Sequence, residues 1–264
     1  MILRLRFVAL GFLTLAASAA LPAQAPNRPA AAPPASAAPA PRLPGGRVDF
    51  SGVWRPDTMF IEDISRAVKP GEKIPLLPSA KALMDAHLSN QDPEANCLPT
   101  GVPRMAPYPW RIVEQTGITY FLFEGNIHSY RMIFMDGRKH PEDVNPTWFG
   151  HSVGRWEGDA LVIDSVGFND KFWFDFSGYP HTEKLHTIER FTRPDMNTLV
   201  SEVTIDDSGA YSKPFTIASR NRLDPKIELM EYICQENNRD PQHIQGPAGP
   251  PANPGDPPRP PPVR

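Results

Sequence analysis

Between residues 111 and 233 the chain is interrupted every few residues by turn signals, and the segments between them alternate apolar with polar side chains. A period of two is the mark of strands with one buried face. Nothing between the strands is long or regular enough to be the crossover helix that a parallel sheet needs. Thr116-Gly117 separates 111–115 from 118–123, and Glu124-Gly125-Asn126 leads into 127–135. Glu157-Gly158-Asp159 sits between 150–156 and 160–168, with a glycine where a tight hairpin requires positive φ. Segments 185–191 and 198–205 are joined through 193–197, and 215–222 and 227–233 through 223–226. The expectation is all-β: about nine strands in one antiparallel meander, closed as a lipocalin-like barrel or folded as a sandwich, because an open sheet leaves its edges unpaired. One short helix is expected over 79–88, with Ser79 placed to cap it. The proline-rich stretch 57–109 has no comparable pattern and should wrap the barrel or cover its mouth.

Composition decides where this domain ends. Of 33 prolines among 264 residues, eight lie between Pro22 and Pro44 and ten between Pro241 and Pro262. Those flanks hold too little apolar bulk to offset the entropy of an ordered backbone. The organisation read from this is a signal peptide over 1–25, a Pro/Ala-rich disordered linker over 26–45, the barrel over 46–240, and a Pro-rich disordered tail over 241–264. The signal peptide reading rests on Arg4 and Arg6 ahead of the apolar run Phe7 to Leu15, followed by small residues suited to cleavage. That run is too short to span a membrane, and no later segment is longer. A periplasmic or secreted protein without a transmembrane segment in its mature form is expected. In that compartment the two cysteines, Cys97 and Cys234, should form a disulfide, worth about 4 to 5 kcal/mol on the chain-entropy argument. A net charge of -3 offers nothing for nucleic acid.

Three motifs carry a resemblance. Trp156-Glu157-Gly158-Asp159-Ala160-Leu161, Pro180-His181-Thr182-Glu183, and the Cys-x-Pro-x-Gly-x-Pro-Arg stretch from Cys97 to Arg104 occur here in that chemical form. The chain resembles a widespread, mostly uncharacterised group of exported bacterial proteins with a Trp-Glu-Gly-Asp-x-Leu hairpin and a Pro-His-Ser/Thr-Glu motif. It departs at Ala160, where Thr is usual. The resemblance implies a compartment and a barrel, and no reaction.

Polar chemistry is densest from Trp148 to Arg190. Asp175, His181 and Glu183 lie within nine residues, in a stretch shaped by Gly178 and Pro180, and a histidine beside carboxylates is what general acid–base catalysis needs. They are expected to gather at one rim, with Trp173 and Tyr179 as walls. Arg131 stands inside an apolar strand and should face a carboxylate or a ligand pocket. Trp148 and His151 complete the expected ligand contacts. His181, Glu183 and His186 could hold a metal if His128, His140 or His151 completed the set, but the spacing is not that of a helical zinc site, and no metal is expected. Serine-nucleophile, phosphate-loop and dinucleotide patterns are absent, and no cofactor is expected. Three function classes remain, the first two being a carrier holding a small, partly apolar molecule in a barrel pocket, and an enzyme (lyase, isomerase or hydrolase) working on such a molecule by acid–base catalysis. An envelope structural module is the third.

Overall fold

In the computed structural model the alternating segments become nine strands, hydrogen-bonded in chain order into a closed barrel. The structure describes residues 38–56, 62–69, 71–104, 108–125, 129–236 and 238–249. These fall in the contact unit that begins at Ser36; the other unit, Met1–Ala35, lies outside the described residues, and with it the expected signal peptide. Most of the expected linker, the end of the tail and His128 are outside them too. The strands are β1 Val53–Pro56, β2 Trp110–Gln115, β3 Ile118–Phe123, β4 Tyr130–Phe134, β5 His151–Glu157, β6 Ala160–Val166, β7 His186–Thr192, β8 Thr198–Asp206 and β9 Phe215–Leu223. No helix among the described residues is long and apolar enough to cross a membrane.

Two memberships differ from the sequence reading. Residues 227–233 form no strand, because both edges of β9 are already taken, one by β8 and the other by β1. The ninth strand is β1 instead, which closes the barrel by pairing Trp54 with Trp110 of β2 and with Leu223 of β9. Its four residues begin with two buried side chains, so no alternation announces it. The helix, α1, runs Pro78–Ala86 and is started by Pro78, whose locked φ suits the first turn; Ser79 lies inside it and caps nothing. It stops before residue 88 because 87–89 run alongside 246–248, with Ser89 N donating to Gly246 O at 2.9 Å and Ala248 N to His87 O at 3.0 Å. The irregular segment does wrap the barrel: Val68 bridges to Ile217, Leu76 to Tyr211, and Leu77 N donates to Ala210 O at 2.9 Å.

Strand register sorts side chains into two faces. Ile133, Ser152, Ser165 and Thr187 follow one another inward across β4 to β7, as do Phe121, Arg131, Ile163 and Glu189 in neighbouring rows. Trp110, Phe121 and Phe191 meet inside with ring centroids 5.1 to 6.1 Å apart. The barrel axis is therefore filled there by rings, as in other small barrels whose interiors are packed core.

One pairing breaks the antiparallel succession. β4 and β5 run parallel, joined through Ile133–Ser152 and Phe134–Val153. The connection 135–150 must therefore travel back along the outside of the barrel. It is stitched to the end of β6 by Thr147 N to Gly167 O at 3.0 Å and Asn169 N to Thr147 O at 2.8 Å. Gly167 makes this approach possible: its φ is +73°, and a Cβ there would lie 2.2 Å from Val144 Cγ1.

Cys97 and Cys234 are bridged, with Cα atoms 5.5 Å apart across 137 residues of sequence. The bridge pins the segment after β9 to the irregular wrap. Asn238 reinforces it, donating through Nδ2 to Ala95 O at 2.9 Å.

Candidate functional site

Asp175 and His181 are both buried, Asp175 completely and His181 at 4 % exposure, whereas Glu183 is exposed. No hydrogen bond joins the first two. Asp175 instead accepts from Ile64 N at 2.7 Å and Tyr179 N at 3.2 Å, tying the wrap to the turn 175–179. Burial pushes its carboxyl up to about 7, against the pull of those two amides. Gly178, at φ +84°, lets the same turn press on His87, whose Nδ1 lies 3.0 Å from Gly178 O. The His87 ring stacks on Trp173 at 4.2 Å, so Trp173 has a protein partner on its face.

The Pro-His-Thr-Glu segment is clasped from both ends. Tyr211 Oη donates to Pro180 O at 2.8 Å, and Asp207, itself buried, accepts from Thr182 N and from Thr182 Oγ1 at 2.7 Å. This turns His181 inward and leaves Glu183 outside. The imidazole packs against Phe172 at 3.9 Å and Phe174 at 5.2 Å between centroids. Burial lowers its pKa to about 4, opposed by the Thr182 and Phe172 carbonyls and the Asp207 and Asp170 carboxylates, so the ring is neutral. Its Nδ1 lies 3.2 Å from Thr182 O, a carbonyl that only accepts, so this contact is a hydrogen bond in the tautomer with the ring proton on Nδ1. Nε2 is then a bare acceptor, buried and without a partner among the described residues. Thr187, the first inward residue of β7, carries a hydroxyl in the same condition. Trp148 stands 6.5 Å from Phe172 at this end, and Tyr179 packs on the same core, its hydroxyl pushed up to about 12 mainly by burial.

Arg131 faces a carboxylate. Its guanidinium donates to both oxygens of Glu189, at 3.0 and 2.5 Å, and to the hydroxyls of Ser152 at 3.1 Å and Ser165 at 2.7 Å, all inside the barrel. Arg104, the last residue of the Cys97 motif, makes a second buried network with Asp92 and Glu94.

His151 lies elsewhere, on the outer wall. There Asp164 Oδ1 is 2.9 Å from His186 Nε2 and 3.1 Å from His140 Nε2, and His140 Nδ1 is 2.8 Å from His151 Nδ1. The sheet register builds this cluster. Asp164 faces Val153 on one side and Ile188 on the other, so His151 and His186, each two residues away on the same face, are its diagonal neighbours. The returning connection 135–150 supplies His140 from above. Phe134 stacks on His151 at 5.2 Å, and the Arg138 guanidinium lies 4.0 Å from the centroid of the Phe134 ring. Burial lowers the His151 pKa first, then the nearby His140 and Arg138. Arg138 itself is engaged by Asp136, whose carboxyl these hydrogen bonds hold down at about 2.

Asp164 was not among the expected site residues, and His140 and His186 figured only as candidate metal ligands, although the hairpin at Gly158-Asp159 carries a usable signal. Counting outward from it sets Val153 opposite Asp164 and puts His151 and Asp164 on one face. His140 had no such signal, since a loop residue has no register. Among the described residues no group of three or more His, Cys, Asp or Glu side chains has the arrangement to hold a metal ion. Comparison with protein-family models, with curated proteins and with solved structures finds no match to this chain.

Proposed function

We propose that the protein is exported and carries a small, partly apolar molecule at the end of its barrel. The observation that supports this reading is His181: a neutral imidazole among Phe172 and Phe174, with a bare Nε2 acceptor that no described residue satisfies. Leaving such an atom buried and unpaired costs about 1 to 3 kcal/mol, a cost that a ligand hydroxyl or amine proton removes. Rings around one polar hook are the usual lining of a small-molecule site. The barrel axis nearer Arg131 is filled by the Glu189 pair and the Trp110 ring cluster, so the ligand belongs at the His181 end. Export is supported by the disulfide and by the resemblance to exported bacterial proteins, with the N-terminal residues acting as a signal peptide. The Asp175, His181, Glu183 catalytic reading has less support, because Glu183 faces away from the other two.

N-phenyl-1-naphthylamine, an apolar fluorophore with one N–H donor, tests this. Wild-type protein should bind it with enhanced fluorescence, and His181→Phe, which keeps the ring volume, should bind it about fivefold more weakly, the value of one hydrogen bond near 1 kcal/mol. No uptake by the wild type, or equal uptake by the folded variant, would sink the reading.

A further inference from the structure

We propose that the outer-wall cluster is a second site, independent of the barrel end, at which His186 acts as a general base on a small, weakly acidic or hydrolysable molecule. Its proton inventory follows from its distances. An ionised carboxylate only accepts hydrogen bonds, so the two nitrogens that approach Asp164 Oδ1, His186 Nε2 and His140 Nε2, both carry protons. Neutral His186 therefore has its lone pair on Nδ1. Its side chain is 34 % exposed, so the base is within reach of a substrate. Asp164 is the positioning residue: it holds the tautomer and the ring orientation and favours the imidazolium that forms, the role a carboxylate plays behind a catalytic histidine.

The contact between His140 and His151 limits the protons nearby. Nδ1 to Nδ1 at 2.8 Å needs one hydrogen between the rings. With both rings neutral, His151 donates and His140 accepts, and His140 still donates through Nε2 to Asp164. A proton arriving at His151 can move across this bond to His140, so the pair connects the carboxylate to solvent. The charges facing the cluster are Arg138 with its partner Asp136, from the connection 135–150, and Asp206, which lies opposite His186 on β8. Ile188, 40 % exposed beside Asp164, and the Phe134 ring offer an apolar flank. The site thus suits a molecule with an apolar side and one proton to lose, or an activated acyl group open to water.

p-Nitrophenyl acetate is the probe. His186 Nδ1 takes a proton from water as the water oxygen bonds to the acyl carbon; the bond to p-nitrophenolate breaks, acetic acid is formed, and the imidazolium returns its proton to solvent. Hydrolysis above the buffer rate should fall at least about tenfold in His186→Ala, toward the low end of what general-base catalysis supplies. Asp164→Asn should fall similarly, and the double variant no further. Nitrogen-15 NMR of wild-type histidines should show His186 with its proton on Nε2, and Asp164→Asn should lose that preference, which a merely structural aspartate would not cause. Equal hydrolysis by folded His186→Ala and wild type, or His186 protonated on Nδ1, would overturn the assignment. N-phenyl-1-naphthylamine binding reports on the barrel end separately, so failure of either reading is visible without the other.

Discussion

Replacing Glu189 by Leu removes a carboxylate that takes two charge-assisted hydrogen bonds from Arg131 in a place where neither side chain is more than 1 % exposed. Removing one partner of a buried pair typically costs about 3 to 5 kcal/mol, because the remaining charge has lost its solvation and its counterion together. Here Ser152 and Ser165 still accept from the guanidinium, which places the expected loss near the lower end, about 3 kcal/mol. The double variant Arg131→Met with Glu189→Leu removes both charges. The Ser165 hydroxyl keeps its bond to Ser152 at 2.9 Å, so the double variant should lie within about 1 kcal/mol of wild type. Urea unfolding of the oxidised protein measures all four corners of this cycle, provided the m-value stays constant. A Glu189→Leu variant within about 1 kcal/mol of wild type would refute the argument, as would a double variant no better than the single one, since either means that the pair is not desolvated as its burial implies.

Asp175 and His181 titrate in opposite senses. The raised carboxyl of Asp175 contributes stability that is present below its unfolded value near 4 and lost as pH climbs to about 7, so Asp175→Asn should gain roughly 4 kcal/mol relative to wild type across that window. The lowered imidazole of His181 contributes stability present above about 6.5 and lost as pH falls to about 4, so His181→Phe should gain up to roughly 3 kcal/mol relative to wild type on acidification. Urea midpoints from pH 4 to 7 check both, and a pH-independent difference in either case would count against the burial argument. On the wall, protonating both His140 and His151 sets two N–H groups against each other across 2.8 Å. Amide exchange of 135–150 should therefore accelerate only once pH falls below the ordinary imidazole value, because burial lowers the His151 pKa, while the β5–β6 hairpin stays protected; equal protection of the connection at neutral and acid pH would refute the pairing.

The period of two, the glycine turns and the missing crossover helices were enough to specify an all-β meander closed as a barrel or a sandwich, because each is a local property of the backbone; the choice of barrel came with the tertiary pairing of β1 to β2 and β9. Cys97 and Cys234 were legible too, since two cysteines have one pairing open to them. Neighbouring residues such as His181 and Glu183 were another matter. The sequence placed them in one loop, but the bonds from Tyr211 and Asp207 decide that one turns into the core and the other into solvent, and those partners stand more than twenty residues away. β1 escaped notice for a similar reason: four residues carry no periodicity, and only the free edges of β2 and β9 make a strand of them. The wall cluster divides cleanly. His151 and Asp164 share a face by hairpin counting alone, whereas His186 joins them only once β7 has docked on β6, and His140 only because the parallel pairing of β4 with β5 sends the connection back over the wall. Short-range sterics and alternation are written residue by residue; the approach of a loop to a distant strand depends on which edges remain unpaired after the rest of the chain has folded.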